Sequence, residues 1–531
     1  MKKSSLGYCI FYLKSLILQP INGKKCMTNF IKQNEKIIFR LLYILLTFLY
    51  LYVAYTSFGF DDEFFNMDII ERYNFIPMLN KVEHWDVHPP GQYMINYLLY
   101  SVFHNWRIVR LFGAILMITS IIYSIENVKK SKGVIEAYKL YFFLGANPAL
   151  LLWCTGIRWY SYFIPILIWL CIIPNTNNHR YYWSKCFFGL LILAYINYAA
   201  FIVAVPVLYL YWSNFRKSGN WNKKNILILV AICSLAYLPQ LYFFIKVHSL
   251  NRASQIFSLK TSIIGFVATQ LSNQGVFPIS NIGVLAILSS LFFIIVSSIY
   301  ILKTKKIENK YIVPYWILVT LLIITGLAGK LRNFILVSPF QSFYLSCFKS
   351  NKNFNKLLNF SLIIIAITNI IGIYNVTMHQ DTTKNSWNLP IKEVLAYVEN
   401  IKKKDGNQEI IILTHDPILT RTLIEKRYRV ISPYNNQEKF NSSINKNNDI
   451  IVIKTFMGSI NENTYKKLLA SVDKLKYDSK FYLNIGIDRY FLHKRKINKN
   501  YPKWQMQIIQ LKNTRNIEAV KIWNEKLYEY P

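Results

Sequence analysis

Residues 37–63 read IIFRLLYILLTFLYLYVAYTSFGFDDE: an apolar run from Ile37 to Phe58 stops just short of Asp61, Asp62 and Glu63. About 20 apolar residues cross the ~30 Å hydrocarbon core of a bilayer as a helix, so the run predicts a membrane span. The three acids then stand where the dielectric falls. In general a carboxylate where the dielectric falls can have its pKa raised and serve as a general base. Asp and Glu contribute little to membrane topology, so topology alone does not call for three of them.

The rest of the chain extends this reading. Its 531 residues are 53% hydrophobic and 16% aromatic with a mean hydropathy of +0.22. Only 17% are charged, where a soluble protein has about a quarter. Lys and Arg number 62 against 27 Asp and Glu, a net charge of +35. The cations gather in short loops, as cytoplasmic loops require. No helix-turn-helix, RRM or zinc-finger pattern accompanies them, so nucleic acid is not the expected partner. The cysteines are scattered, without a CxxC pair, and predict neither a disulfide framework nor a zinc site. In the N-terminal segment 1–36 the apolar run Leu6–Leu13 is broken by Lys14 and reads as a helix lying on the bilayer surface.

Lys24, Lys25, Lys32 and Lys36 place the chain start in the cytoplasm. Residues 59–91 then fall outside, with seven carboxylates against Arg72 and Lys81. Gln92–His104 is too short to cross and reads as a helix on the outer face. Spans follow at Arg107–Ile125, Val134–Cys154 and Trp159–Ile173, and as a hairpin within Cys186–Trp212 that bends near Asn197 and Tyr198. Ile226–Ile245, Ile282–Leu302, Ile312–Ala328, Asn333–Phe348 and Leu357–Val376 complete about eleven spans. The expected fold class is a polytopic α-helical membrane protein, its transmembrane domain covering residues 37–379 and its first outer loop residues 59–106.

Beyond residue 380 long apolar runs give way to short alternations. Glu409–Leu413, Arg429–Ser432, Asp449–Ile453 and Arg489–Leu492 read as strands, with helical patterns at Pro417–Lys426 and Thr464–Lys474. Residues 380–531 are therefore expected to form a small extracytoplasmic α/β domain.

The outer loop carries a second cluster, Asp86-Val87-His88-Pro89-Pro90-Gly91. Two prolines fix φ and remove two backbone donors, giving a stiff segment that holds Asp86 and His88 in a set direction. Arg110, Arg158, Lys330 and Arg332 are the cations expected at the outer face. Lys330-Leu331-Arg332 stands at the outer end of a span, where the positive-inside rule disfavours it.

Taken in order, Asp62-Glu63, then Asp86-Val87-His88-Pro89-Pro90, then Arg110-Leu111-Phe112 at the start of a span resemble the GT-C glycosyltransferases of the protein O-mannosyltransferase and aminoarabinose transferase group. The motifs lie within residues 61–112, and the resemblance covers roughly residues 37–376. It implies the GT-C fold and transfer of a monosaccharide from a polyprenyl-phosphate donor to an acceptor hydroxyl on the outer face of the inner membrane, with inversion. The family's catalytic Asp-Glu pair maps onto Asp62 and Glu63, or begins at Asp61 if the register shifts by one. Glu63, Asp86 and His88 would position acceptor and sugar, while Arg110, Arg158, Lys330 and Arg332 would offset the charge growing on the phosphate. Gly91 stands where the family usually has Leu. The chain lacks the sugar-binding repeat domain of the eukaryotic mannosyltransferases, so the acceptor is left as an envelope glycan, lipid or protein. No cofactor is required by this reading. Asp61, Asp62 and Glu63 are hard oxygen ligands that suit Mg²⁺ or Mn²⁺, whereas resemblance to the mannosyltransferases implies metal independence.

Two rival readings share the spans. A surface-polysaccharide polymerase or flippase accounts for the outer arginines but not for the two acidic motifs together. A transporter places ionisable residues in the middle of its spans, and here those middles are almost free of charge.

Overall fold

The structure, a computed structural model, describes residues 22–56, 61–85, 88–172, 182–215, 223–249, 263, 266, 281–304, 310–325, 331–348, 352–377, 398–399, 410–414, 423, 428–431, 449–455, 481–483 and 504–511; at some of these only the backbone is described. The expected segment Leu6–Leu13 lies outside them.

The helices in chain order are α1 (Asn22–Thr56), α2 (Asp61–Arg72), α3 (Phe75–Trp85), α4 (Gly91–Phe103), α5 (Trp106–Lys132), α6 (Val134–Leu140), α7 (Pro148–Trp153) and α8 (Tyr160–Ile172). They continue as α9 (Tyr182–Ile196), α10 (Ala199–Phe215), α11 (Lys223–Ser249), α12 (Asn281–Thr304), α13 (Ile312–Ile324), α14 (Ser338–Cys347) and α15 (Lys352–Thr377). Among the described residues three helical stretches, Asn34–Thr56, Trp106–Lys132 and Leu358–Thr377, are long and apolar enough to cross a membrane. Shorter apolar helices occupy most of the other predicted spans.

One large apolar cluster joins α1, α5 and α8 to the later helices. Facing residues decide how near the helices come. A Cβ on Gly113 would lie 2.8 Å from Ser161 Cβ, so α5 and α8 approach closely because Gly113 has none. At one end α1 and α5 are clasped by polar groups. Lys129 pairs with Glu35 at 2.7 Å, Tyr43 donates to Glu126 Oε1 at 2.6 Å, and the Lys129 ammonium stands 4.5 Å over the Phe39 ring.

Two predicted spans are not single helices. Val134–Cys154 divides into α6, a π-helical turn at Tyr141–Gly145, and α7. The cause is local: Asn147 Oδ1 accepts the Ala149 and Leu150 N–H groups at 3.0 and 3.2 Å, and Pro148 starts α7 at a position needing no donor. A π turn leaves carbonyls without their usual partners, and buried carbonyls need donors. Asn369 of α15 donates to Phe142 O at 2.8 Å and Ser342 of α14 to Phe143 O at 2.7 Å. Asn333–Phe348 likewise divides into a 3-10 segment, Leu331–Val337, and α14, whose second residue is Pro339. The bend between α9 and α10 falls at Asn197 and Tyr198, where Asn197 Oδ1 accepts Ala199 N–H at 2.8 Å.

Strands β1 (Ile410–Thr414), β2 (Arg429–Ile431), β3 (Asp449–Thr455), β4 (Phe481–Leu483) and β5 (Trp504–Leu511) form one sheet in the order β2-β1-β3-β5-β4. β2, β1 and β3 are parallel, with Ile412 opposite both Val430 and Ile451, while β5 is antiparallel to β3 and to β4. Near-continuous apolar runs such as Ile410–Leu413 are what central parallel strands need. The strand expected at Arg489–Leu492 lies outside the described residues, as does the helix expected at Thr464–Lys474 and all but Leu423 of that at Pro417–Lys426. Val398, Ile412 and Leu423 belong to the same buried cluster as Met67 and Ile70 of α2, Met78 and Val82 of α3 and Tyr93 of α4. The sheet region and the first loop therefore share one core.

If the π turn is held from α15, Asn369→Leu strips the Phe142 carbonyl of its donor and costs about 1–3 kcal/mol. The thermal midpoint in detergent should fall clearly below that of Ile367→Leu, a control on the exposed side of the same helix. Equal midpoints would show that the turn does not depend on this contact.

Candidate active site

The stretch read as an outer loop is three helices. In α2 the residues Glu63, Asn66, Met67 and Ile70 recur at helical spacing and are all buried. Their neighbours Asp61 and Asp62 form the first turn of α2; their side chains lie outside the described residues. Asp86 and Lys330 also lie outside them. Arg332 is the second residue of the 3-10 segment, with its backbone alone described.

Glu63 and Arg110 are brought together. Arg110 of α5 donates from Nη2 and Nε to Glu63 Oε2 at 3.2 and 3.3 Å, and both side chains are almost wholly buried. α5 is aimed there by its first turn. Asn105 caps it by accepting Arg107 N–H at 2.9 Å, and Trp106 Nε1 donates to Glu71 Oε1 at 2.6 Å, tying the start of α5 to the end of α2. Arg107 reaches back to the Tyr55 hydroxyl at 3.3 Å, so the end of α1 meets the same place.

Arg158 is equally buried, in the irregular segment 154–159 between α7 and α8. Its Nη1 lies 3.5 Å from Asn66 Oδ1. Arg158, expected among the cations of the outer face, is thus buried within the bundle. Several backbone carbonyls of this segment have donors. Ser161 Oγ donates to Gly156 O at 2.5 Å, Ser161 N–H to Arg158 O at 3.1 Å, and the amides of Asn66 and Asn96 both donate to Ile157 O at 3.2 Å. Asn96 Oδ1 in turn accepts the Tyr162 hydroxyl at 2.5 Å.

α4 forms where a helix on the outer face was expected; one face is buried, while Leu98, Val102 and Phe103 on the other are exposed. Gln92, Tyr93 and Asn96 are buried on the face that meets α2, α3, α5 and α9. His88, two residues before Pro90, places Nδ1 3.2 Å from Asn197 Nδ2 at the α9–α10 bend. Gly91 explains its own identity. A Cβ there would fall onto the Tyr195 carbonyl oxygen, 2.8 Å from its carbon and 3.3 Å from Ile196 N. A leucine has no room.

Asn66, Asn96 and Tyr162 were not anticipated, and Asn197 was anticipated only as a bend. Gln92 and Asn96, four apart in an apolar helix, were the available signal: two amides on one face of α4 mark a polar seam. Among the described residues no group of three or more His, Cys, Asp or Glu could hold a metal ion.

No known family profile and no curated protein matches the chain. Among solved structures it is similar to ArnT from Cupriavidus metallidurans bound to undecaprenyl phosphate, at 11% identity over 88% of this chain and 98% of that one, with a TM-score of 0.46. Apo ArnT gives 10% over 89% and 98%, with a TM-score of 0.49. The Archaeoglobus fulgidus oligosaccharyltransferase in complex with Zn and sulfate gives 12% over 77% and 67%, with a TM-score of 0.40.

Removing one member of a buried ion pair leaves an uncompensated charge and costs about 3–5 kcal/mol. Arg110→Met should therefore lower the thermal midpoint strongly, and Glu63→Gln added to it should restore part of the loss. A double variant whose loss equals the sum of the two singles would show that the pair is not coupled. Gly91→Ala should cost about 1–3 kcal/mol by the same assay, as overpacking does; an unchanged midpoint would mean that α4 and α9 can part without cost.

Proposed function

We propose that this protein is a membrane glycosyltransferase that moves a monosaccharide from a polyprenyl-phosphate donor to a hydroxyl of an envelope glycan, lipid or protein. The carrying observation is the convergence of two buried guanidiniums, Arg110 and Arg158, on the helix whose first turn is Asp61-Asp62. Buried charge needs a reason as well as partners. Cations beside carboxylates at the end of an apolar helix suit an interfacial transfer in which one group takes a proton while another receives a phosphate.

In this reading the carboxylate of Asp62, or of Asp61, takes the acceptor proton as the acceptor oxygen attacks the anomeric carbon. The bond from that carbon to the phosphate oxygen breaks on the opposite face, which inverts the centre. The electron pair leaves with the polyprenyl phosphate, and Arg110 and Arg158 offset its charge. Glu63 fixes the Arg110 fork, so the guanidinium is oriented before substrate arrives. His88 and Asp86 would position acceptor and sugar, and Lys330 and Arg332 would add positive charge against the phosphate. Positive charge comes from arginine, so transfer needs no divalent cation; if one takes part, Asp61, Asp62 and Glu63 are its ligands.

The first test is transfer from radiolabelled polyprenyl-phosphate sugars to a total envelope extract, comparing wild type with Asp62→Asn and Asp61→Asn at equal membrane abundance. Loss of one general base should slow transfer about a hundredfold or more, and transfer should persist in EDTA. If no sugar moves with wild-type protein while gene deletion alters surface-polymer length, the polymerase reading takes its place. Loss of activity in EDTA that Mn²⁺ or Mg²⁺ restores would assign the acidic turn to a metal instead.

The shared core with the first loop supports a sheet region on the same side of the membrane as α2–α4, and the Lys-rich loops favour that side being outside the cytoplasm. An alkaline phosphatase fused after Pro531 should be active, and one fused within the Lys-rich segment 303–306 inactive. The reverse pattern would invert the topology and move the site to the cytoplasmic face.

A further inference from the structure

Gln92 is fully buried on the seam face of α4, and neither Nε2 nor Oε1 of its carboxamide makes a hydrogen bond. Its surroundings are otherwise well provided. One turn on, Asn96 uses its amide on the Ile157 carbonyl and its oxygen on the Tyr162 hydroxyl. Four residues before, the His88 ring meets the Asn197 amide. The first turn of α4 cannot relax to find Gln92 a partner, because Gly91 is lodged against the Tyr195 carbonyl. Folded proteins satisfy the great majority of buried polar atoms, so an amide left open in a seam that closes around it marks a place for something else.

We propose that Gln92 recognises the transferred sugar, its carboxamide pairing with adjacent hydroxyls of the monosaccharide. This rests on the glycosyltransferase reading above and names the residue that selects the donor. The chemistry favours a sugar over other occupants. A carboxamide presents one donor face and one acceptor face side by side, and each sugar hydroxyl both donates and accepts. A phosphate would be repelled by the amide oxygen and has Arg110 and Arg158 to bind. A prenyl chain offers no hydrogen bond. A single neutral oxygen is a poor cradle for a metal ion. Placement agrees with this: Gln92 shares α4 with Asn96, which is tied through Ile157 O to Asn66 and so to Arg158 and the helix of Glu63.

The test compares wild type, Gln92→Met and Gln92→Asn, purified in detergent, with polyprenyl-phosphate-linked glucose, mannose, galactose and 4-amino-arabinose as donors and the envelope extract as acceptor. Melting without ligand and the shift produced by polyprenyl phosphate alone are recorded for each. The expected result is that Gln92→Met melts at or above wild type and keeps its response to polyprenyl phosphate. Its kcat/KM for the sugar that wild type prefers falls about tenfold, the worth of one or two neutral hydrogen bonds. Gln92→Asn, one methylene short, should reduce the preference among the four sugars. If Gln92→Met transfers like wild type, the amide only holds water and the assignment fails. If it melts lower and loses lipid-phosphate response and transfer together, the residue is structural and the assignment fails. If the wild-type protein responds to polyprenyl phosphate yet moves none of the four sugars, the glycosyltransferase reading itself falls, and this assignment with it.

Discussion

The arrangement of the site depends on one carbonyl, that of Ile157. It belongs to an irregular segment buried inside an apolar bundle, where a backbone oxygen without a donor is costly. Asn66 of α2 and Asn96 of α4 both donate to it. Two helices from the first loop are thereby fixed on the segment that carries Arg158. Since α2 also carries Glu63, the position of Arg110 follows from the same anchor.

The helix that holds the acidic turn is therefore locked by polar contacts on one side and by apolar ones on the other. Asn66 and Glu63 point the polar seam inward, while Met67, Ile69 and Ile70 join Met78, Tyr93 and Ile412 in the second core. Neither half suffices alone. The apolar contacts give α2 its stability but little directional definition, and the hydrogen bonds give direction at little net stability once desolvation is counted. Such a division suits a site that must hold buried charges at set angles.

Much of the helical framework was legible because apolar runs long enough to span a bilayer leave little freedom in how they fold. The two acidic motifs and Arg110 could be singled out for the same reason: charge is scarce here, so its placement carries information. Contacts between distant residues were not legible. Glu63 meets Arg110 across 47 positions and Asn66 meets Ile157 across 91, and no local periodicity reports either. The π turn at Tyr141–Gly145 was hidden because its carbonyls are satisfied from α14 and α15, some two hundred residues away. Strands β4 and β5 escaped notice for a different reason. Trp504–Leu511 alternates Gln with apolar residues too weakly to stand out in a polar tail, and its pairing with β3 supplies what the pattern lacks.

The central claim is that the seam around Ile157 delivers Arg110 and Arg158 to a lipid phosphate. A cryo-EM structure in lipid nanodiscs with polyprenyl phosphate tests it most directly. The phosphate is expected about 3 Å from the guanidinium of Arg110 or Arg158, with Asn66 and Asn96 still on the Ile157 carbonyl. A phosphate bound elsewhere, with Arg110 still on Glu63 and Arg158 still on Asn66, would contradict the claim and reduce the buried charges to a structural clamp.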